Sequence, residues 1–152
     1  IHWFDFLTSI VGNRILSVFA SANKAVTQNV KPPLLSQCLI QLDKGQASLV
    51  FDGFTKFGPQ DRTMVTGTKG TIISVGPDLD KQNVELFTSK GKSTPQLKGS
   101  WFNDGFHGTM GELLSSIEEN RSPLNNAKDN LLTLELTFAA IKSSKTNKVI
   151  KF

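Results

Sequence analysis

The sequence predicts an α+β fold, in which helices cover one face of an open, predominantly antiparallel β-sheet. A helical spacing of apolar residues opens the chain, alternating segments joined by short turns follow, and a second helical spacing begins at Thr109. Short turns favour antiparallel pairing because parallel strands need long crossover connections. We therefore expect helices at residues 2–11, 109–121 and 126–144 over one sheet of at least five strands.

The first predicted helix has an apolar face and a polar face. His2 and Asp5 lie three residues apart and share the polar face, and Gly12 ends the helix. No capping side chain precedes Ile1, so we expect that this chain is part of a longer protein whose preceding residues lie just upstream of the helix. The apolar residues follow the i, i+3, i+4, i+7 spacing and should be buried: Trp3, Phe6, Leu7 and Ile10.

The middle of the chain predicts strands and hairpins. Asp43-Lys44-Gly45 is typical of a three-residue hairpin loop with positive φ at the glycine. Gly67-Thr68-Lys69-Gly70 lies between two alternating segments and lacks the phosphate-loop pattern, which favours a hairpin turn. The predicted strands are Ile15–Ala22, Leu34–Leu42, Gln46–Phe51, Arg62–Thr66, Thr71–Val75, Val84–Thr88 and a short one within Val149–Phe152.

Two helices are predicted after the strands. Thr109 and Glu112 have the spacing of a capping box at the start of the first. The second should bury a stripe formed by Ala127, Leu131, Leu134, Phe138 and Ile141.

Composition limits the possible functions. With 152 residues, 38% of them hydrophobic and 20% charged, the chain fits one globular domain spanning residues 1–152. The net charge of +4 comes from dispersed lysines without a base-stacking motif, which argues against nucleic-acid binding. No apolar run is long enough to cross a bilayer, and we expect a cytoplasmic protein without membrane contact. Cys38 is the one cysteine and is predicted to be a buried side chain.

Only two histidines offer an imidazole for catalysis. His2 lies in the first helical turn, where the helix dipole favours the neutral form that suits a general acid or base. Spacing alone favours the alternative, an ordinary residue on the helix surface. His107 follows Trp101 and Asp104 in a segment rich in aromatics and glycine. That segment predicts either a loop lining a substrate pocket or a rigid loop packing its aromatics under the next helix.

Metal and cofactor sites are not predicted in this chain. The histidines and carboxylates have no metal-ligand spacing. No GxGxxG sequence opens a βαβ unit, so we expect no dinucleotide site in these residues.

Four segments together resemble the carboxy-terminal domain of the Gfo/Idh/MocA family, which includes glucose–fructose oxidoreductase and inositol dehydrogenase. Their order along the chain is that of the family. They are Ile1-His2-Trp3-Phe4-Asp5, Gly67-Thr68-Lys69-Gly70-Thr71, the run from Trp101 to Leu113, and Pro123 to Ala140.

The resemblance implies part of an enzyme that uses NAD or NADP on an amino-terminal Rossmann domain, which this chain lacks. The family motif Asp-x-Gly-x-His would end at Ile1-His2, which makes His2 the proton-transfer residue. The Asp, and the Lys of a Glu-Lys-Pro segment, would lie upstream, so the chain alone should be inactive. Asp5, Trp101, Asp104 and His107 are the expected substrate-binding residues, for a sugar, a polyol or a related hydroxy compound.

The family also implies a homo-oligomer assembled through the open sheet face. Two alternatives stay open for the whole protein: a binding or assembly module without turnover, and an NAD-dependent glycoside hydrolase. The presence or absence of the family's Asp and Lys upstream of Ile1 would distinguish the binding module from the oxidoreductase. Analysis of the reaction products of the intact protein would distinguish the glycoside hydrolase from it.

Overall fold

The computed structural model describes residues 1–152 and contains three helices and eight strands. The helices are α1 (His2–Val11), α2 (Trp101–Glu118) and α3 (Asn130–Thr146). The strands are β1 (Ile15–Asn23), β2 (Leu35–Leu42), β3 (Gly45–Asp52), β4 (Asp61–Gly67), β5 (Gly70–Gly76), β6 (Asn83–Thr88), β7 (Gly91–Ser93) and β8 (Ile150–Lys151).

The chain divides into two compact units. The first comprises Ile1–Phe54 and Leu124–Phe152, and the second comprises Thr55–Pro123. Each unit contains one four-stranded sheet in which every strand pair is antiparallel. The predicted α+β class and antiparallel pairing are confirmed. The strands form two sheets, however, and not the single larger sheet that the run of short turns predicted.

In the first unit the strand order is β3-β2-β1-β8, and α3 packs against β1 while α1 packs against α3. All ten buried apolar side chains of the protein lie in this unit. Alternate positions of β2 point into this core, whereas Leu39 points to the opposite, outer face. The core residues are Phe4, Ile15, Val18, Ala20, Cys38, Ile40, Leu42, Leu136, Ala139 and Ala140.

In the second unit the strand order is β4-β5-β6-β7, a meander built from consecutive hairpins. Its sheet side chains are partly or wholly exposed, and Gly76 is the one buried strand residue. The short strand β7 was not predicted. The unit therefore lacks an apolar core like that of the first unit.

The turn predictions hold with one change. Gly12 ends α1 with a φ of 59°, and its N–H donates to the carbonyl oxygen of Thr8. Gly45 has a φ of 135°, as predicted, but the loop has two residues because Leu42 pairs directly with Gly45. Gly67-Thr68-Lys69-Gly70 is a hairpin turn, with Gly67 paired to Gly70.

The predicted buried face of α1 is correct at Leu7 but not at Phe6 and Ile10, which are exposed, and the predicted buried face of α3 is wrong. In α1 the core side is formed by Phe4, with Leu7 and Val11 packed beside it. In α3 the small residues face the sheet, because a close helix–sheet approach needs short side chains. The buried residues of α3 are Thr133, Leu136, Ala139, Ala140 and Ser143, while Leu131, Phe138 and Ile141 are exposed.

Candidate functional site

His2 is an exposed residue in the first turn of α1. The helix begins after Ile1 with no side-chain hydrogen bond at its cap, and its backbone bonds start with the Asp5 N–H donating to the carbonyl oxygen of Ile1. The amino-terminal end of a helix carries a positive local potential. The imidazole is thus available to solvent or a ligand at the positive end of a helix.

Asp5 lies one turn after His2 and is tied to α3. The hydroxyl of Thr133, a fully buried residue of α3, donates to Asp5 Oδ1 at 3.1 Å. The Thr133 oxygen is also 2.9 Å from the Thr8 hydroxyl oxygen. A carboxylate acceptor strengthens such a bond. The arrangement fixes α1 against α3 at the helical turn that carries Asp5.

Trp101, Asp104 and His107 lie in α2 and not in a loop, so the predicted start of this helix at Thr109 is wrong. Thr109 is inside the helix and donates its hydroxyl hydrogen to the carbonyl oxygen of Gly105 at 2.9 Å. Their spacing of three residues places Trp101, Asp104 and His107 along one side of the helix. The structure therefore brings these three candidate residues together, all of them exposed.

Two aspartates fix the amino end of α2. Asp104 Oδ2 accepts from the Ser100 N–H at 2.5 Å and from the Ser100 hydroxyl at 3.1 Å. Asp80 Oδ1 accepts from the Trp101 N–H at 2.9 Å. The bonds from Ser100, with a smaller effect of His107, hold the pKa of Asp104 below its usual value. Asp104 is thus a charged carboxylate that stabilises the helix terminus.

The other side of α2 is an apolar stripe. Phe102 and Phe106 stack with ring centroids 6.4 Å apart, and Met110, Leu113 and Ile117 continue the row at helical spacing. All five are exposed. Three glycines lie away from the stripe, and a Cβ on any of them would meet open space: Gly105, Gly108 and Gly111.

Two surface depressions of about 420 Å³ each lie in the second unit. One lies at the amino end of α2 and is lined by Asp80, Asn83 and Gly99, among others. The other is lined by Val65, Ile72, Leu86 and the hairpin at Gly67–Gly70. None of the five candidate residues lines either depression.

Cys38 is buried, as predicted, and burial raises the pKa of its thiol. The thiolate is the reactive form of cysteine, so this residue is inert as a nucleophile in the folded chain. No three His, Cys, Asp or Glu side chains converge in a way that could hold a metal ion. None of the helices is both long and apolar enough to span a membrane.

Sequence reasoning missed Thr133 and Asp80. A threonine inside an apolar helical segment was a signal for Thr133, since a buried hydroxyl needs a partner. No local signal identified Asp80, because its partner Trp101 is 21 residues further along the chain.

The fold is that of a domain found in oxidoreductases. An oxidoreductase from Agrobacterium radiobacter, solved in complex with NAD+, L-tartaric acid and magnesium, matches 99% of this chain with a TM-score of 0.81 and 19% sequence identity. An aldose-aldose oxidoreductase from Caulobacter crescentus, complexed with glycerol, matches 99% with a TM-score of 0.79 and 15% identity. The WlbA dehydrogenase from Bordetella pertussis, in complex with NADH and UDP-GlcNAcA, matches 99% with a TM-score of 0.74 and 15% identity.

This likeness establishes the fold. The chain covers 46%, 45% and 42% of those three solved chains, so it spans less than half the length of each. No protein-family model and no curated protein matches the sequence.

Proposed function

We propose that this chain is the substrate-binding and oligomerisation domain of an NAD- or NADP-dependent oxidoreductase of the Gfo/Idh/MocA type. The observation that carries the proposal is the fold match over 99% of the chain to oxidoreductases solved with NAD+ or NADH. The substrate we propose is a sugar, a polyol or a related hydroxy compound. L-Tartaric acid, glycerol and UDP-GlcNAcA, found in the similar structures, all carry hydroxyl groups.

The nicotinamide dinucleotide would be held outside this chain. Both sheets are wholly antiparallel, whereas a dinucleotide-binding turn needs a parallel β-α-β unit with a glycine-rich first turn. The residues described here therefore act on the substrate and on its protons. No step that involves the dinucleotide is assigned to them.

His2 is the proposed proton-transfer residue. Oxidation of a hydroxyl to a carbonyl releases the hydroxyl proton, and a neutral imidazole can accept it and return it in the reverse direction. The position of His2 in the first turn of α1, one turn before Asp5, supports this role. The Asp5 carboxylate has its Oδ1 bonded to Thr133, so its proposed contact with a substrate hydroxyl uses Oδ2.

Trp101, Asp104 and His107 are the proposed substrate-binding residues of the second unit. They share one side of α2, where a flat aromatic ring and polar groups suit the faces and hydroxyls of a polyol. Gly105 and Gly108 lack side chains, so a ligand could approach the helix backbone closely there.

The test is mutagenesis of the full-length enzyme. His2→Ala should lower kcat by about a hundredfold to ten-thousandfold, the usual contribution of general acid/base catalysis. Trp101→Ala should mainly raise KM, because stacking acts equally in the ground and transition states. Ser9→Ala is the matched control, since the Ser9 hydroxyl only bonds the Phe6 carbonyl oxygen within the exposed side of α1.

A folded His2→Ala enzyme with wild-type kcat would contradict the proton-transfer role. Product analysis with a glycoside substrate would reveal the hydrolase alternative by release of the aglycone. An intact protein that shows no turnover with any polyol, sugar or hydroxy acid would favour the binding module instead.

A further inference from the structure

We infer that Thr133 is a positioning residue for His2, acting through Asp5. The inference rests on the proposed role of His2 as the proton-transfer residue. Thr133 is on α3, 131 residues after His2 along the chain, and its hydroxyl is the group that sets the rotation of α1.

The hydroxyl of Thr133 lies in a fully buried position with two partners on α1. It donates to Asp5 Oδ1 at 3.1 Å, and its oxygen is 2.9 Å from Thr8 Oγ1. A hydroxyl has one hydrogen, so when Thr133 donates to Asp5, it can only accept from Thr8. The one hydrogen of the Thr8 hydroxyl is shared between Thr133 Oγ1 at 2.9 Å and the Asp5 carbonyl oxygen at 3.0 Å. No buried side-chain polar atom in the protein lacks a partner. One buried hydroxyl thus connects two successive positions on the same side of α1.

The contacts of α1 with the core are apolar and leave small rotations of the helix open. Phe4, Leu7 and Val11 pack on the core, and burial of apolar surface has no directional preference. Hydrogen bonds weaken steeply when their angles depart from linearity. The bonds to Thr133 therefore select one rotation of α1 among those that would bury the same apolar residues.

Rotation of α1 moves His2 because His2 and Asp5 share one rigid helical turn. Asp5 is three residues after His2, and its N–H donates to the carbonyl oxygen of Ile1, which ties this turn together. A small rotation changes where the imidazole points without unfolding the helix. Misplacement of a catalytic group by about 1 Å can reduce the rate about a hundredfold.

The test uses Thr133→Val and Thr133→Ser in the full-length enzyme. Valine keeps the shape and removes the hydroxyl, so kcat should fall about tenfold to a hundredfold with little change in KM. Serine keeps the hydroxyl, and kcat should return to within about threefold of the wild type. Thr137→Val is the control, since its hydroxyl bonds only the Thr133 carbonyl oxygen within α3, and its kcat should not change.

A double-mutant cycle separates positioning from simple destabilisation. If Thr133 acts through His2, then Thr133→Val should cause no further loss of kcat in the His2→Ala background. The inference would be overturned if Thr133→Val lowered kcat equally in the wild-type and His2→Ala backgrounds. It would also be overturned if His2→Ala alone lowered kcat while a folded Thr133→Val enzyme kept the wild-type kcat. Wild-type kcat in His2→Ala would instead overturn the proposed function.

A second variant keeps the test decisive if Thr133→Val does not fold. Asp5→Ala removes the acceptor of the Thr133 hydroxyl. Because Asp5 is also proposed to contact a substrate hydroxyl, the KM of this variant should rise in both backgrounds, and kcat alone reports the coupling. We expect Asp5→Ala to lower kcat in the wild-type background and to have no further effect on kcat in the His2→Ala background. An Asp5→Ala loss of kcat that persists without His2 would contradict the coupling.

Discussion

At the scale of single residues, hydrogen bonds and burial shift the pKa values of two aspartates in opposite directions. Asp104 is bonded by the N–H and hydroxyl of Ser100, and its pKa is lowered. Asp61 is partly buried at the start of β4, and burial raises its pKa although Gln82 Nε2 donates to it at 3.3 Å. The two carboxylates should therefore affect the pH dependence of stability with opposite signs.

The Asp104 carboxylate should stabilise the fold above its usual pKa of 3.8, and this contribution should be lost as the pH falls through the lowered folded-state value. Asp104→Asn should remove that dependence, so its melting temperature should fall less than that of the wild type between pH 5 and about pH 2.5. The measurement is thermal unfolding followed by circular dichroism across this range.

Asp61→Asn is the matched comparison. In the wild type the folded state favours the protonated form of Asp61. The stability linked to this protonation is therefore present below pH 3.8 and is lost as the pH rises through the raised pKa of the folded state. Removing this carboxyl should make the melting temperature fall more on acidification. Two asparagine variants with the same pH profile would contradict both assignments.

At the scale of elements, α2 shows why the sequence pattern predicts a loop in the aromatic segment where the structure has a helix. Glycine costs a helix about 1 kcal/mol relative to alanine, and Gly105 and Gly108 among the aromatics favour a loop in the sequence prediction. The helix forms because Asp80 and Asp104 bond its first amides and because Phe102 and Phe106 stack along one side. The candidate substrate residues consequently form a row on a helix instead of a loop.

In the hairpin between β4 and β5, a close contact with the neighbouring strand β6 requires glycine at position 70. A Cβ on Gly70 would overlap the carbonyl oxygen of Phe87 on β6, while a Cβ on Gly67 would lie 3.8 Å from its nearest neighbour, the Gly70 carbonyl oxygen. Gly70→Ala should therefore lower the free energy of unfolding by about 1–3 kcal/mol.

Gly67→Ala is the control and should be neutral or stabilising by up to about 1 kcal/mol, because alanine reduces the entropy of the unfolded chain. Urea titration followed by circular dichroism measures both variants. Equal destabilisation by the two substitutions would argue against the contact with Phe87.

At the scale of the whole molecule, the outer face of the first sheet is the proposed oligomer surface. The sequence predicts this surface from the alternate strand positions Leu35, Leu39, Leu49 and Phe51. Leu49, however, packs against the core and Phe51 shares its side of β3, so both belong to the inner face.

Leu35 and Leu39 do lie on the outer face of β2, opposite to the buried Cys38 and Ile40, and Phe19 and Val50 lie on the same face of the neighbouring strands. The most exposed of these are Leu39 and Val50, with 61% and 75% of their surfaces exposed. Exposed apolar patches mark interfaces in many proteins.

Leu39→Lys combined with Val50→Lys should shift the full-length protein to a smaller species in sedimentation velocity. Burying a lysine charge in an interface is unfavourable, whereas the folded subunit should be little affected because both positions are exposed. Val26→Lys, at an exposed loop position of the same unit, is the control and should leave assembly intact. A wild-type protein that sediments as a monomer at high concentration would contradict the proposal.

The sequence by itself determined the class of fold, the antiparallel pairing and most turns. These follow from local chemistry: alternation in β2 and β3, the helix stop at Gly12 and the positive φ at Gly45. Residue types also identified His2 as a candidate proton-transfer group, a role that remains a prediction.

Only the tertiary structure decided which helix faces are buried and which polar groups meet. Periodicity finds an apolar side but cannot choose between competing sides, and small residues such as Ala139 and Ala140 were selected by close approach to the sheet. The bond between Asp5 and Thr133 joins residues 128 positions apart. Such pairs depend on how elements pack, and no local pattern encodes that packing.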